Sequence, residues 1–223
     1  MAQYGGLLTT TSGEVWVTAN SSPIALQARK TAALQGTSGF NTKVTHTFPS
    51  GQPIVAFVHC TVEVEITQMV SGNTITIDFL RPNATGTAYV YFFTIFPQTK
   101  PDYGMAVWDA SGTLILTHET RTLGDVVTIG TAGVDANSGY NINTTLAGKW
   151  ACMPVMLGLI TGVISAGGQP QPYAAIYKSM AKLEGSNTRI FARPQTTPSG
   201  GLQNVAYSNM RNVIMAINCA NYD

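Results

Sequence analysis

Tyr103-Gly104-Met105-Ala106-Val107-Trp108-Asp109-Ala110-Ser111-Gly112-Thr113-Leu114-Ile115-Leu116-Thr117 is an apolar run, a turn and a second apolar run. Glycine at the third loop position of Ala110-Ser111-Gly112 supplies the positive φ that a three-residue hairpin requires. The stretch therefore predicts a hairpin of strands 105–109 and 113–117. The same pattern stands near the start of the chain. Tyr4-Gly5, Ser12-Gly13 and Thr18 match Tyr103-Gly104, Ser111-Gly112 and Thr117, with Val15-Trp16-Val17 in place of Leu114-Ile115-Leu116. A twin hairpin is predicted over 6–11 and 14–18.

The correspondence continues in order along the chain. Ile24 matches Leu123, Ser38-Gly39-Phe40-Asn41 matches Ser138-Gly139-Tyr140-Asn141, and Pro53-Ile54-Val55 matches Pro154-Val155-Met156. Asn73-Thr74 recurs as Asn187-Thr188 and Arg81-Pro82 as Arg193-Pro194. Each copy then has a glycine-containing turn, 84–87 and 197–201, and closes on an apolar strand, 88–96 and 212–217. Single matches arise by chance, whereas a colinear series with a slowly drifting offset points to internal duplication. The expected organisation is copy 1 over 1–97, a proline-bounded linker over 98–101, and copy 2 over 102–223. The repeat motif residues are Tyr4, Gly5, Ser12, Gly13, Tyr103, Gly104, Ser111 and Gly112. Each motif tyrosine is expected to pack its ring on the sheet or on an adjacent subunit.

Alternation over 54–67 predicts one long strand. Val58, Cys60, Val62, Val64 and Ile66 take one face, and His59, Thr61, Glu63, Glu65 and Thr67 the other. Strands are also predicted over 74–79 and 88–96, and no stretch holds a helical period. The fold class is all-β, as two tandem β-sandwich domains. The strands 54–67 and 88–96 are apolar and little charged, which reads as edges covered by a partner.

Charged residues make up 10% of the chain, against roughly 25% in an ordinary soluble domain. Net charge is +1 without any basic block, which argues against nucleic acid or an anionic membrane surface as partner. The three cysteines, Cys60, Cys152 and Cys219, are widely spaced with no CxxC. They read as buried thiols rather than a disulfide framework or a zinc site. The first residues lack a basic segment followed by an apolar one, so synthesis in a reducing cytoplasm is expected. The apolar stretch 152–166 is shorter than the roughly 20 residues that span a bilayer. Its β-branched residues predict a buried strand pair.

No pattern assigns a catalytic residue, a metal ligand or a cofactor. His46, His59 and His118 have no ligand-spaced partners, and His59 and Cys60, adjacent on a strand, point to opposite faces. Glu63 and Glu65 share a strand face as a glycosidase pair would, but a solvated sheet face has the same spacing, and copy 2 has no counterpart. Gly36-Thr37-Ser38-Gly39 lacks the spacing of a nucleophile elbow. Tyr89, Tyr91, Tyr173, Tyr177 and Tyr222 could stack on sugars, or pack in a core or interface.

The repeated Tyr-Gly…Ser-Gly element, read on Tyr103 to Thr117, resembles the opening strands of a family of small bacteriophage virion proteins of tails, tail tips and fibres. Those begin with a Tyr-Gly-aliphatic strand, an Asp/Asn-x-x-Gly turn and a second apolar strand. Copy 1 departs from this, with Gly6-Leu7-Leu8-Thr9-Thr10-Thr11 in place of the aliphatic strand and acidic turn. The resemblance implies a non-enzymatic structural role in the tail tip, baseplate or collar. Its partners would be copies of itself and other virion proteins, after synthesis in the bacterial cytoplasm. Alternatives are a host-surface module recognising a glycan or pilin, a capsid decoration protein and, well behind, a β-sandwich hydrolase.

Overall fold

The computed structural model describes residues 8–9, 15–17, 22–166, 168–196 and 201–223. Tyr4, Gly5, Ser12 and Gly13, and most of the turn expected over 197–201, lie outside the described residues. The first half carries strands β1 (Leu8–Thr9), β2 (Val15–Val17), β3 (Ala25–Leu34), β4 (Asn41–Thr47), β5 (Val55–Cys60), β6 (Glu65–Ser71), β7 (Thr74–Leu80) and β8 (Gly86–Thr94). The second carries β9 (Ala106–Trp108), β10 (Leu114–Thr117), β11 (Val127–Ile129), β12 (Asn143–Ala147), β13 (Trp150–Cys152), β14 (Met156–Ala166), β15 (Gln169–Glu184), β16 (Asn187–Pro194), β17 (Gln203–Asn209) and β18 (Ile214–Asn218). Among the described residues helix is limited to short 3-10 turns, and no helix is long and apolar enough to cross a membrane. The protein is all-β.

One order of pairing occurs in both halves. In the first, β1 and β2 form a hairpin, β8 lies between β3 and β5, and β7 lies between β4 and β6. In the second, β9 and β10 form a hairpin, β18 lies between β11 and β13, and β16 lies between β12 and β15. Registers correspond as well. Val44 faces Ile77, and Thr144 faces Ile190. Phe48 N donates to Asn73 O at 2.8 Å, and Gly148 N donates to Ser186 O at 3.0 Å. Both comparisons shift one strand by 100 residues and the other by 113, whereas the matched Pro53-Ile54-Val55 and Pro154-Val155-Met156 do not correspond, since they lead into β5 and β14 and the strand placed like β5 is β13. Only the second half adds β17 and the long β14–β15 hairpin.

The Asp109 turn shows why β9 and β10 meet. Asp109 Oδ1 accepts hydrogen bonds from Ser111 N (2.9 Å), Ser111 Oγ (2.7 Å) and Thr113 N (2.8 Å). Gly112 follows at φ +82°, the left-handed conformation of this loop type. Hydrogen bonds from Ser111 and the backbone hold the Asp109 carboxyl below its usual range.

Each half encloses a core between its two layers. The first gathers Leu34, Val44, Phe48, Val58, Ile66, Ile77, Phe79, Val90 and Phe92, and takes in Met180 and Phe191 from the second half. The second gathers Ile129, Ile142, Cys152, Leu157, Ile190, Ile214 and Ala216. A third core lies on the other face of β5 and β8 and draws on both halves: Phe57, Tyr91 and Phe93 pack with Ala151, Ile217, Cys219 and Tyr222. Burying a large side chain stabilises by about 1.5–3 kcal/mol, so this third core couples the halves strongly. Three backbone joints complete the connection, one of them a parallel bridge of β5 to β15 at Cys60 and Lys182. β5 pairs antiparallel with β13 at Val58 and Cys152. Leu26 N donates to Arg121 O (2.9 Å) and Leu123 N to Ile24 O (2.8 Å). Ile24 and Leu123, matched in the repeat, thus lie side by side.

Four sequence expectations are corrected. The stretch 54–67 is two strands, because the chain crosses from one layer to the other at 61–64, where Thr61 N donates to Thr87 O and Asn83 N to Glu63 O. β5 and β8 are interior strands rather than edges, and their unbroken apolar runs reflect burial on both faces. The stretch 152–166 is the end of β13, a break, and one long strand, β14, whose outer part is only half-buried. Tyr103 is 81% exposed and does not pack on the sheet.

Candidate interaction surface

The structure separates the residues singled out for chemistry. Glu63 pairs with Lys182 (3.6 Å) and Arg193 (3.9 Å). Glu65 pairs with Arg81 and accepts a hydrogen bond from Gln195 Nε2 (2.6 Å). Glu65 is 3% exposed, so on the expected solvated face Glu65 is a buried, ion-paired carboxylate and Glu63 a half-buried one. His46 stacks on Phe92 and meets Gln27 Oε1 at 2.9 Å. His118 lies against Tyr103. Among the described residues no group of His, Cys, Asp or Glu could hold a metal ion. All three cysteines are buried and free, and burial pushes the Cys152 and Cys219 thiols up to about 12.

His59 is the buried end of a polar cluster that opens to solvent at Arg29 and Lys149. Its ring stacks on Tyr89 (4.6 Å) and its Nε2 lies 3.4 Å from Tyr91 Oη. Tyr91 Oη donates to Asp223 Oδ1 (2.7 Å), which also pairs with Arg29 (3.1 Å), and Lys149 reaches Asp223 Oδ2 (3.0 Å). Burial lowers the His59 pKa to about 4, with Lys149 and Arg29 adding to the effect against Asp223. Burial works to raise Asp223, but hydrogen bonds from Tyr91 and Lys149 and the Arg29 charge outweigh it and leave the carboxyl low. Tyr91 and Tyr222 are buried here and reach no solvent. They are core residues, not sugar platforms.

A different set of tyrosines comes together on the part of the second half that the first lacks. β14 runs between β15 and β17, with Gly158 facing Tyr177 on one side and Asn209 on the other, and Ile160 facing Tyr207. The Tyr140 ring lies over Gly158, where a Cβ would come within 2.6 Å of it. Tyr140 stands 5.5 Å from Tyr177 and 5.8 Å from Tyr207. Tyr173, four residues before Tyr177 on β15, donates its hydroxyl to Thr196 O (2.7 Å). Burial first, then the neighbouring phenols of Tyr207, Tyr173 and Tyr140, raise the Tyr177 pKa.

The rim of this surface is apolar and open. Tyr207 is 56% exposed, Met210 50% and Val205 40%. Its base is pinned, as Asn209 Nδ2 donates to Asp135 Oδ1 (2.8 Å) and Ser138 O (3.2 Å), and Arg211 pairs with Asp135 (3.2 Å). The sequence reading found Tyr173 and Tyr177 and missed Tyr140 and Tyr207. The available signal was Gly158 on a strand, where an absent side chain leaves room for a ring to approach. Comparison with protein-family profiles, with curated proteins and with solved structures finds no match for this chain.

Proposed function

We propose that the chain is a non-enzymatic structural protein of a bacteriophage virion, sited in the tail tip, baseplate or collar, built from two diverged copies of one β-sandwich. The Tyr-Gly…Ser-Gly resemblance supplies the virion context. The observation that carries the assembly role is the surface on β14, β15 and β17: exposed apolar side chains held on a pinned, uncharged strand. Such a patch on a rigid scaffold fits contact with another protein. Proteomics of purified particles, followed by a particle reconstruction, tests the reading. The chain is expected as a stoichiometric component with this surface buried, and its absence from particles overturns the proposal.

One observation favours a second reading. Tyr207, half-exposed beside Tyr140 and Tyr177, offers an aromatic face of the kind that stacks on sugar rings. Host-glycan recognition predicts glycan-array binding that Tyr207→Ala abolishes.

A further inference from the structure

We infer that β17 is a self-association edge, pairing antiparallel with β17 of a second copy about a two-fold axis through Ala206. This rests on the assembly role proposed above and names the partner.

β17 bonds to β14 on one side, and on its other side no strand pairs with it among the described residues. Residues 203–208 are all exposed. An unpaired edge is normally protected by charge, proline or brevity. Among the other outer strands, β3 carries Arg29 and Lys30, β4 carries Lys43, and β11 and β12 are short, whereas β6 beyond its buried Glu65 is uncharged. β17, Gln203-Asn204-Val205-Ala206-Tyr207-Ser208-Asn209, has neither charge nor proline, and a bulge at Asn204 is the one protection on its edge.

The sequence of β17 is complementary to itself. About an axis at Ala206, Val205 faces Tyr207 of the second copy and Tyr207 faces its Val205, and the regular pairing ends at Asn204, whose φ of +51° and shifted register with β14 break the alternation. The two most apolar exposed side chains of the strand cover each other. Aromatic against β-branched is a favourable cross-strand pair. A net charge of +1 sets little repulsion against a second copy, and an uncharged strand offers nothing to select a charged partner. The asparagine anchor at Asn209 holds the edge in place before pairing, which lowers the entropy cost of association. The chain already joins its own halves in this manner, β5 to β13.

The test is sedimentation of the full chain from about 5 to 200 µM, with two variants at the axis. The parent is expected to pass from one 23.7 kDa chain to a species of twice that mass. Ala206→Lys and Ala206→Glu each place like charges opposite one another and are expected to remain monomeric, with unchanged circular dichroism and melting temperature. An equimolar mixture of the two is expected to recover the dimer, because the substituted positions face each other only in this register. A parent that stays monomeric to 200 µM overturns the inference, as does a dimer indifferent to both substitutions or a mixture that shows no recovery. A particle reconstruction with the chain present and β17 facing solvent or a different protein overturns the pairing alone. Absence of the chain from particles overturns the virion role.

Discussion

Replacing Phe93 with alanine tests whether the two halves unfold as one. Phe93 is fully buried, paired across strands with Val55 and Leu26. Its ring meets Phe57 edge-on at 5.7 Å and Tyr222 edge-on at 4.9 Å. Truncating a buried phenylalanine costs about 3–5 kcal/mol, of which the two edge-to-face pairs supply roughly 0.5–1.5 kcal/mol each. For a chain of this length 1 kcal/mol moves the melting temperature by about 2–4 °C. A loss of about 4 kcal/mol then lowers it by about 8–16 °C. Because Tyr222 comes from the second half, scanning calorimetry should show a single transition that shifts as a whole. Two resolved transitions, with only the first displaced by Phe93→Ala, would refute the coupling through the third core.

His59 should make stability depend on pH between about 6.5 and 4. Its folded pKa lies below the unfolded value, so the unfolded chain binds the extra proton, and stability present above pH 6.5 is lost as pH falls towards 4. The full drop is about 3 kcal/mol, read from urea midpoints, and His59→Asn should flatten it. Gly104 and Gly112 both have positive φ, but a Cβ at Gly104 would lie 2.4 Å from the His118 ring while Gly112 faces open space. Gly104→Val should therefore cost about 3 kcal/mol and Gly112→Asn under about 1 kcal/mol, compared by thermal melting. Gly158→Ala should cost about 1–3 kcal/mol in the same assay, since the methyl would meet the Ser208 carbonyl at 2.8 Å as well as Tyr140.

Turns and short strands were legible because their signals are local. The loop Asp109-Ala110-Ser111-Gly112 specifies its own hydrogen bonds, and the run 74–79 alternates cleanly as β7, with Ile75, Ile77 and Phe79 all buried. Which strands are interior was not legible. An unbroken apolar run such as 88–94 fits an edge awaiting a partner or a central strand covered on both faces, and only the positions of β3 and β5 decide between them. The break at 61–64 was hidden because its valines continue the alternation of β5 while the backbone leaves the sheet. Glu65 misled for a related reason: its ion-pair partner Arg81 and its hydrogen-bond donor Gln195 lie on other segments of the chain. The tyrosine surface depends on Tyr140, Tyr177 and Tyr207 meeting across three segments, and their distant positions along the chain gave no hint of it.

β14, β17 and the outer part of β15 have no counterpart in the first half, and this sets a valence. Were both halves so equipped, each chain would present two uncharged edges, and pairing could run on from copy to copy into a filament. With the edge on one half only, pairing through it stops at two chains. In the proposed two-chain unit that edge is used up, so any further growth would need a different and separately controllable contact.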